Sequence, residues 1–319
     1  MYNCTDDVLS HDSVLRKEVI HFMSPKAGDI VIDGTFGAGG YSRALLESAH
    51  CRVIAFDRDP DILPFAEKII HQYGSERFQL IQGSFGDMDT LLSTRGIDSV
   101  DGIVLDLGVS SMQLDTAERG FSFMHDAPLD MRMSREGRNA ADFINSANEE
   151  DIANTLYLYG GERKSRRIAR KIVDERGKEP ISRTGRLASI IRSAIGHHNE
   201  KIDAATRSFQ AIRIWVNDEL GELERALAAA EKLLTPGGRL VVVSFHSLED
   251  SIVKHFLAER TGKHRGVSRH APVYEDIATT ASFQYLDKHA ITPSAEEVAR
   301  NTRSRSAKLR AAIRIREAA

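Results

Sequence analysis

Short apolar runs alternating with helical stretches set the limits on what this chain can fold into. Four runs fall in its first third: Asp29-Ile-Val-Ile-Asp33, Cys51-Arg-Val-Ile-Ala-Phe-Asp57, Phe78-Gln-Leu-Ile-Gln82 and Val100-Asp-Gly-Ile-Val-Leu-Asp106. Helical stretches lie between them: Tyr41 to Ser48, a segment opened by Pro60, and Asp87 to Thr94. Proline suits the start of a helix because the N–H it lacks would have no partner there. Parallel strands need a crossover long enough to hold a helix, so this alternation predicts an α/β, doubly wound parallel sheet. Upstream, Val14, Leu15, Val19, Phe22 and Met23 have helical spacing, which Pro25 ends.

The rhythm breaks at Ser111. From there to Ala211 no further strand of this kind is predicted, and Glu149–Tyr159, Glu162–Glu175 and Thr184–Ile195 read as helices. Thr206 to Leu234 reads as one or two more. After Pro236-Gly237-Gly238 comes Arg239-Leu-Val-Val-Val-Ser-Phe245, unbroken by polar alternation, as in a strand covered on both faces. Leu248 to Arg260 is predicted helical. Lys308 to Arg316 alternates at Leu309, Ala311, Ile313 and Ile315, which predicts a half-buried strand near an edge. Thr261 to Pro272, polar and basic, reads as a loop. The simplest architecture is one Rossmann-like domain, residues 1–113 and 212–319, with a helical domain inserted at 114–211.

Bulk properties exclude more than they suggest. With 319 residues, 41% hydrophobic and 28% charged, the chain is ordinary globular protein. Its net charge of −3 gives no global pointer to nucleic acid. The two cysteines, Cys4 and Cys51, form no Cys-x-x-Cys pair, and the twelve histidines have no ligand spacing, so no metal is expected. Met1 to Asp12 has no apolar run of the signal-peptide kind, and no stretch approaches the ~18 apolar residues of a membrane span, so a cytoplasmic protein without membrane contact is expected.

The cofactor site is the most informative local feature. The first strand runs directly into Asp33-Gly-Thr-Phe-Gly-Ala-Gly-Gly40, where glycines let the backbone turn sharply and approach a ligand. Asp57 ends the second strand 20 residues after Gly37. A carboxylate there can accept hydrogen bonds from both ribose hydroxyls of a nucleoside. A dinucleotide would favour Gly or Ala where this chain has Ser42, and its pyrophosphate would sit poorly beside Asp33. An acid at Asp33 suits the cationic amino-acid end of S-adenosylmethionine.

Over nearly its whole length the chain resembles the bacterial 16S ribosomal RNA cytosine-N4 methyltransferases. The matching stretches include Asp33–Gly40, Asp57-Arg-Asp-Pro60, Leu105–Ser111, Glu118-Arg-Gly-Phe-Ser-Phe123 and Pro128-Leu-Asp-Met-Arg-Met133. Phe209-Gln-Ala-Ile-Arg-Ile-Trp-Val-Asn217, Ser244-Phe-His-Ser-Leu-Glu-Asp250 and Arg303-Ser-Arg-Ser306 follow in family order. Tyr41 departs from the pattern, since many members have His there. The resemblance implies a class I methyltransferase fold and S-adenosylmethionine as cofactor. It implies as substrate a cytidine of the decoding centre, near the peptidyl site, of 16S rRNA in the small ribosomal subunit; a homodimer is compatible with it. The cofactor contacts it implies are Gly39, Gly40, Tyr41, Asp57, Phe85, Asp106 and Gln113, to which the glycine loop adds Gly37.

Methyl transfer from a sulfonium needs alignment of donor and acceptor above all. The cytosine amine is a poor nucleophile, and a polar acceptor beside it can hold an N–H and take the proton. Asp106, at the end of the fourth strand, is the first candidate, with Leu107, Ser110 and Ser111 as helpers; His246 is a weaker one. The loop Asp106-Leu-Gly-Val lacks the prolines and aromatic of many base-amine methyltransferases. Carbon-5 methylation would call for a cysteine thiolate. Neither Cys4 nor Cys51 follows the fourth or fifth strand, which favours attack by N4.

From Gly160 to Asn217 there are fourteen Lys and Arg against six Asp and Glu, a local charge of +8. Arg166, Arg167 and Arg170 lie on neighbouring faces of one predicted helix, over a stripe of Ile168, Ile172 and Val173. Arg300 to Arg316 adds seven basic residues and no acid. The pattern suits phosphate contacts as well as a solvated face. A small-molecule methyltransferase would have no use for such an insertion, and a non-catalytic assembly factor no use for Gly39, Asp57 and Asp106 together.

Overall fold

The structure is a computed structural model and describes residues 13–196, 202–262 and 281–315. In chain order it runs α1 (Arg16–Met23), β1 (Ile30–Asp33), α2 (Gly40–Ser48), β2 (Arg52–Asp57), α3 (Leu63–Tyr73), β3 (Phe78–Gln82), α4 (Met88–Ser93) and β4 (Val100–Asp106). Six helices follow: α5 (Ser111–Asp115), α6 (Ala140–Ser146), α7 (Glu149–Gly160), α8 (Ser165–Arg176), α9 (Thr184–Ile195) and α10 (Thr206–Asn217). The chain continues through α11 (Glu219–Leu233), β5 (Leu234–Ser244), α12 (Ser247–Arg260), β6 (Phe283–Tyr285), α13 (Ala295–Arg300) and β7 (Lys308–Arg314). It divides into two compact units, Met1–Gly108 with Leu220–Ala319, and Val109–Glu219.

The first unit is built on one seven-stranded sheet of order β3-β2-β1-β4-β5-β7-β6. β1 to β5 are parallel, so Asp33, Asp57, Gln82, Asp106 and Ser244 end along one edge. β7 runs antiparallel between β5 and β6, with Lys308 opposite Ser244 at that same edge. Ile54 and Phe56 of β2, Ile103 and Leu105 of β4 and Val242 of β5 form the core with Leu223, Ala226, Leu227 and Ala230 of α11. Full burial of one such Leu, Ile, Val or Phe side chain stabilises by roughly 1.5–3 kcal/mol.

β7 lies near an edge, as its alternation predicts; the edge itself is β6, three residues long and without a periodic signal. The expected inward face of β7 is only half right. Leu309 and Ala311 are buried, but so are Ala312 and Arg314, while Ile315 is 41% exposed. Both faces of the strand are used: Ala312 joins the core, and Arg314 donates to the Ser282 carbonyl. Much of the loop expected from Thr261 to Pro272 lies outside the described residues.

The second unit is helical, and its described residues contain no strand, only an isolated bridge between Pro128 and Arg183. α7 packs on α8 and α10, and α8 on α9. Ile152, Leu156, Ile168, Ile172, Leu187, Ile191, Phe209 and Ile212 make its core. α5 and α6, of five and seven residues, are too short to show a helical period in sequence. Each is set by a capping box, Ser110 with Gln113 and Asn139 with Asp142, which satisfies N–H groups that a helix start leaves open.

Candidate active site

The glycine loop is fixed by close approach. Gly39 has φ +78°, and a Cβ there would meet the Phe36 ring at 2.8 Å; one on Gly40 would meet Ser13 Oγ at 1.8 Å. A side chain at Gly39 would be strained by the left-handed backbone and crowd the Phe36 ring, and one at Gly40 would displace the Ser13 side chain. The Gly37 N–H donates to Asp57 Oδ2 at 2.8 Å, and the Asp59 N–H to Oδ1 at 2.8 Å. Asp57 is thus held against the first loop, and each oxygen keeps a lone pair for a further donor. Burial pushes its carboxyl up to about 6, against the pull of those two N–H bonds.

Asp33 does not face a ligand. It is fully buried and accepts from Ser42 Oγ at 2.7 Å and the Thr35 N–H at 3.3 Å. Burial raises its carboxyl to about 6, with these bonds opposing. The acid expected to meet an amino-acid tail instead shapes the loop. Tyr41 is likewise turned inward: its side chain is 3% exposed and its hydroxyl donates to the Val14 carbonyl. Burial holds that hydroxyl well above its ordinary range. Only the backbone of Tyr41 is left to meet a ligand. Phe85 begins a short 3-10 turn after β3, half-buried against the core, with Ser84 as its cap.

Asp106 carries the strongest signal. Its N–H donates to Thr35 Oγ1 at 2.6 Å. Its Oδ1 is shut off from solvent and has no hydrogen-bond partner among the described residues. Buried acceptors are nearly always satisfied, so an orphaned one at the ligand edge of a sheet is a position for an incoming donor. Burial first, then the charges of Asp33 and Glu249, hold this carboxyl well above the usual range. Thr35 was missed by sequence reasoning. Its only signal is a hydroxyl two residues past the end of a strand, inside the glycine run.

His246 has a structural occupation. It caps α12, with Nδ1 accepting from the Glu249 N–H at 3.4 Å and Nε2 lying 3.1 Å from Glu249 Oε1. Glu249 Oε2 in turn accepts from the N–H groups of Phe245 and His246. Cys51 is buried, its Sγ directed to the Leu45 carbonyl, and burial raises its thiol. Cys4 lies outside the described residues.

In the second unit Gln113 accepts from the Ser110 N–H at 3.0 Å and is buried. Arg166, Arg167 and Arg170 are exposed on α8, over buried Ile168 and Ile172, with Val173 only half-buried. Arg170 has a loose partner, Glu149 at 3.7 Å. The same unit holds a cleft of about 460 Å³ lined by Arg138, Phe143, Asn148, Asn154, Tyr159 and Trp215.

A family model described as the MraW methylase family matches residues 8–315. The chain belongs to this family of methylases. It is 53% identical over 304 residues to the ribosomal RNA small subunit methyltransferase H of Paramagnetospirillum magneticum, covering 95% of each chain. It is 55% identical over 305 residues to the protein of that name in Caulobacter vibrioides, again covering 95% of each. Among solved structures, an rRNA methylase from Streptococcus thermophilus aligns over 94% of both chains with 10% identity and a TM-score of 0.42, too remote to add to the family match. The sheet described above is the Rossmann-like class I methyltransferase sheet, and the cofactor of such enzymes is S-adenosylmethionine. The residues fit it: a tight glycine loop in which a Cβ would crowd its neighbours, and a carboxylate 20 residues on whose two oxygens each keep a lone pair for a ribose.

Proposed function

We propose that this enzyme methylates the exocyclic N4 of a cytidine in the decoding centre of 16S rRNA. The observation that carries the reading is the sealed, unpartnered Oδ1 of Asp106 at the carboxyl edge of β4. When bound, S-adenosylmethionine supplies an electrophilic methyl group. Gly37, Gly39, Gly40 and the Tyr41 backbone would cradle it, Asp57 would accept from its ribose, and Phe85 would offer a face to its adenine. Asp106 accepts an N–H of the cytosine amine, which draws the lone pair out of conjugation with the ring. It then takes the proton as the nitrogen forms its new bond. A carboxylate that burial and neighbouring acids make more basic is a better acceptor. His246 supports this edge as a helix cap.

The substrate follows from relatives whose names specify small-subunit ribosomal RNA, and from the second unit, read as the RNA-recognition domain. Arg166, Arg167 and Arg170 present three exposed cations suited to phosphates. The cleft beside Trp215 and Tyr159 offers aromatic and amide groups, the chemistry that holds unstacked bases. Among the described residues no helix is long and apolar enough to cross a membrane.

The test is nucleoside mass spectrometry of 16S rRNA from purified small subunits treated with the enzyme. N4-methylcytidine is the expected product. 5-Methylcytidine would overturn the reading, as would loss of turnover in a folded Cys4→Ser, Cys51→Ser double variant.

A further inference from the structure

Glu222 is a buried acid that the chemistry above does not use. It lies in the first turns of α11, 1% exposed, beside the apolar stripe of Leu223, Ala226 and Leu227 that seats the helix on the sheet. Its Oε1 accepts from Ser84 Oγ at 2.6 Å. Its Oε2 lies 3.2 Å from the Arg58 guanidinium, an ion pair not aligned as a hydrogen bond. The Gly86 N–H donates to that same Ser84 Oγ at 3.1 Å, so Ser84 links the turn to the carboxylate. A Cβ on Gly86 would stand 3.0 Å from Glu222 Cγ and 3.1 Å from its carbonyl oxygen, a tight contact that places the turn directly against α11. One turn on, Arg225 reaches toward Asp87 at 4.0 Å.

These partners belong to two separate loops. Arg58 directly follows Asp57, and Ser84 and Gly86 flank Phe85. One carboxylate therefore ties the loop after β2 to the loop after β3, at the strand ends assigned to ribose and adenine. A buried ion pair is a poor device for stability alone, since apolar residues of similar volume often serve as well or better. It is a good device for fixing where two loops sit.

We propose that Glu222 is a positioning residue for cofactor binding, setting Asp57 and Phe85 at the separation that grips the nucleoside half of S-adenosylmethionine. The inference rests on the reading that Asp57 and Phe85 hold that nucleoside. Glu222 touches neither cofactor nor substrate; it acts through Arg58 and the Ser84–Gly86 turn.

Calorimetric titration of the full chain with S-adenosylmethionine and with 5′-methylthioadenosine tests it. Glu222→Gln keeps the shape and the bond to Ser84 but removes the charge facing Arg58. It should weaken both ligands by the same factor, about tenfold, as expected for loss of one charge-assisted contact. Melting temperature and RNA affinity should stay near wild type. Arg58→Met approaches the pair from the other side and should give a similar loss. Combined with Glu222→Gln it should add little, because the pair is already broken. Wild-type affinity in both folded single variants overturns the proposal. So does a loss that spreads to RNA affinity and melting temperature, the sign of a merely structural role. Asp57→Ala separates the two levels: if it leaves both affinities unchanged, the cofactor reading itself falls, and the positioning role falls with it. If Asp57→Ala weakens binding and Glu222→Gln does not, only the positioning role is lost.

Discussion

The two units use their motifs in opposite ways. In the first, the matching stretches lie where strands end, and their polar groups line the edge proposed above for the cofactor or hold a neighbour that does. Asp57 and Asp106 are of this kind, and Thr35 and Asp33 hold the loops beside them. In the second, the matching stretches are mostly spent on one another. Arg119 donates to the carbonyls of Arg132 and Met133, and Asn217 binds the Met133 N–H and the Met131 carbonyl. Met131 is buried at φ +64°, a conformation that a side chain of its size rarely adopts. The bonds from Arg119 and Asn217 are what hold it there. Arg132 is paired with Asp130 two residues before it. A motif in the first unit points to chemistry, and one in the second to a scaffold. The three arginines proposed to meet phosphates, on α8, lie outside those motifs, while Trp215 of the proposed base cleft lies within one.

This contrast can be broken experimentally. The largest effect should come from Asp106→Asn, which keeps the shape but cannot take a proton. Single-turnover methyl transfer to small subunits should slow by about a hundredfold or more, the usual range for losing a general base, with cofactor affinity within a few-fold of wild type. Retention of a tenth of the activity would place the acceptor elsewhere.

Next in size is Asp57→Ala. Losing hydrogen bonds to a charged group should weaken S-adenosylmethionine binding by about ten- to a hundredfold, read by calorimetry on a folded protein. The counterpart in the second unit is joint replacement of Arg166, Arg167 and Arg170 by Gln. RNA affinity should fall and its salt dependence flatten by roughly one unit of slope per lost phosphate contact, with cofactor affinity unchanged. A wild-type salt slope would reduce α8 to a solvated face.

The smallest effect is on stability. Asp33 and Asp57 have folded-state values raised from 3.8 to about 6. The native chain therefore holds more protons than the unfolded one between these values. The stability this contributes is complete below about pH 4 and is lost as pH rises through about 6. A ribose donating to Asp57 favours its carboxylate form, so S-adenosylmethionine should raise the melting temperature more at pH 7.5 than at pH 5. An equal or smaller rise at pH 7.5 would mean that Asp57 does not sense the ligand.

The sequence alone determined the run of strands and helices up to β5, the helical stretch after β4, and the places of Asp57 and Asp106 at strand ends. Each follows from local information: a parallel strand shows as an apolar run, a crossover as a helical period, and a strand end as the residue before a turn. Tertiary structure alone decided which polar groups are free to act. Asp33 and Tyr41 look like ligand contacts in sequence, yet partners 9 and 27 residues away turn them inward. Glu222 looks like one more acid on an amphipathic helix until Ser84, 138 residues distant, meets it. β6 was hidden for the same reason. A three-residue strand has no period of its own and exists only because a neighbour supplies its hydrogen bonds. Burial and pairing belong to the whole fold, and they decide whether a carboxylate waits for a substrate or is already engaged.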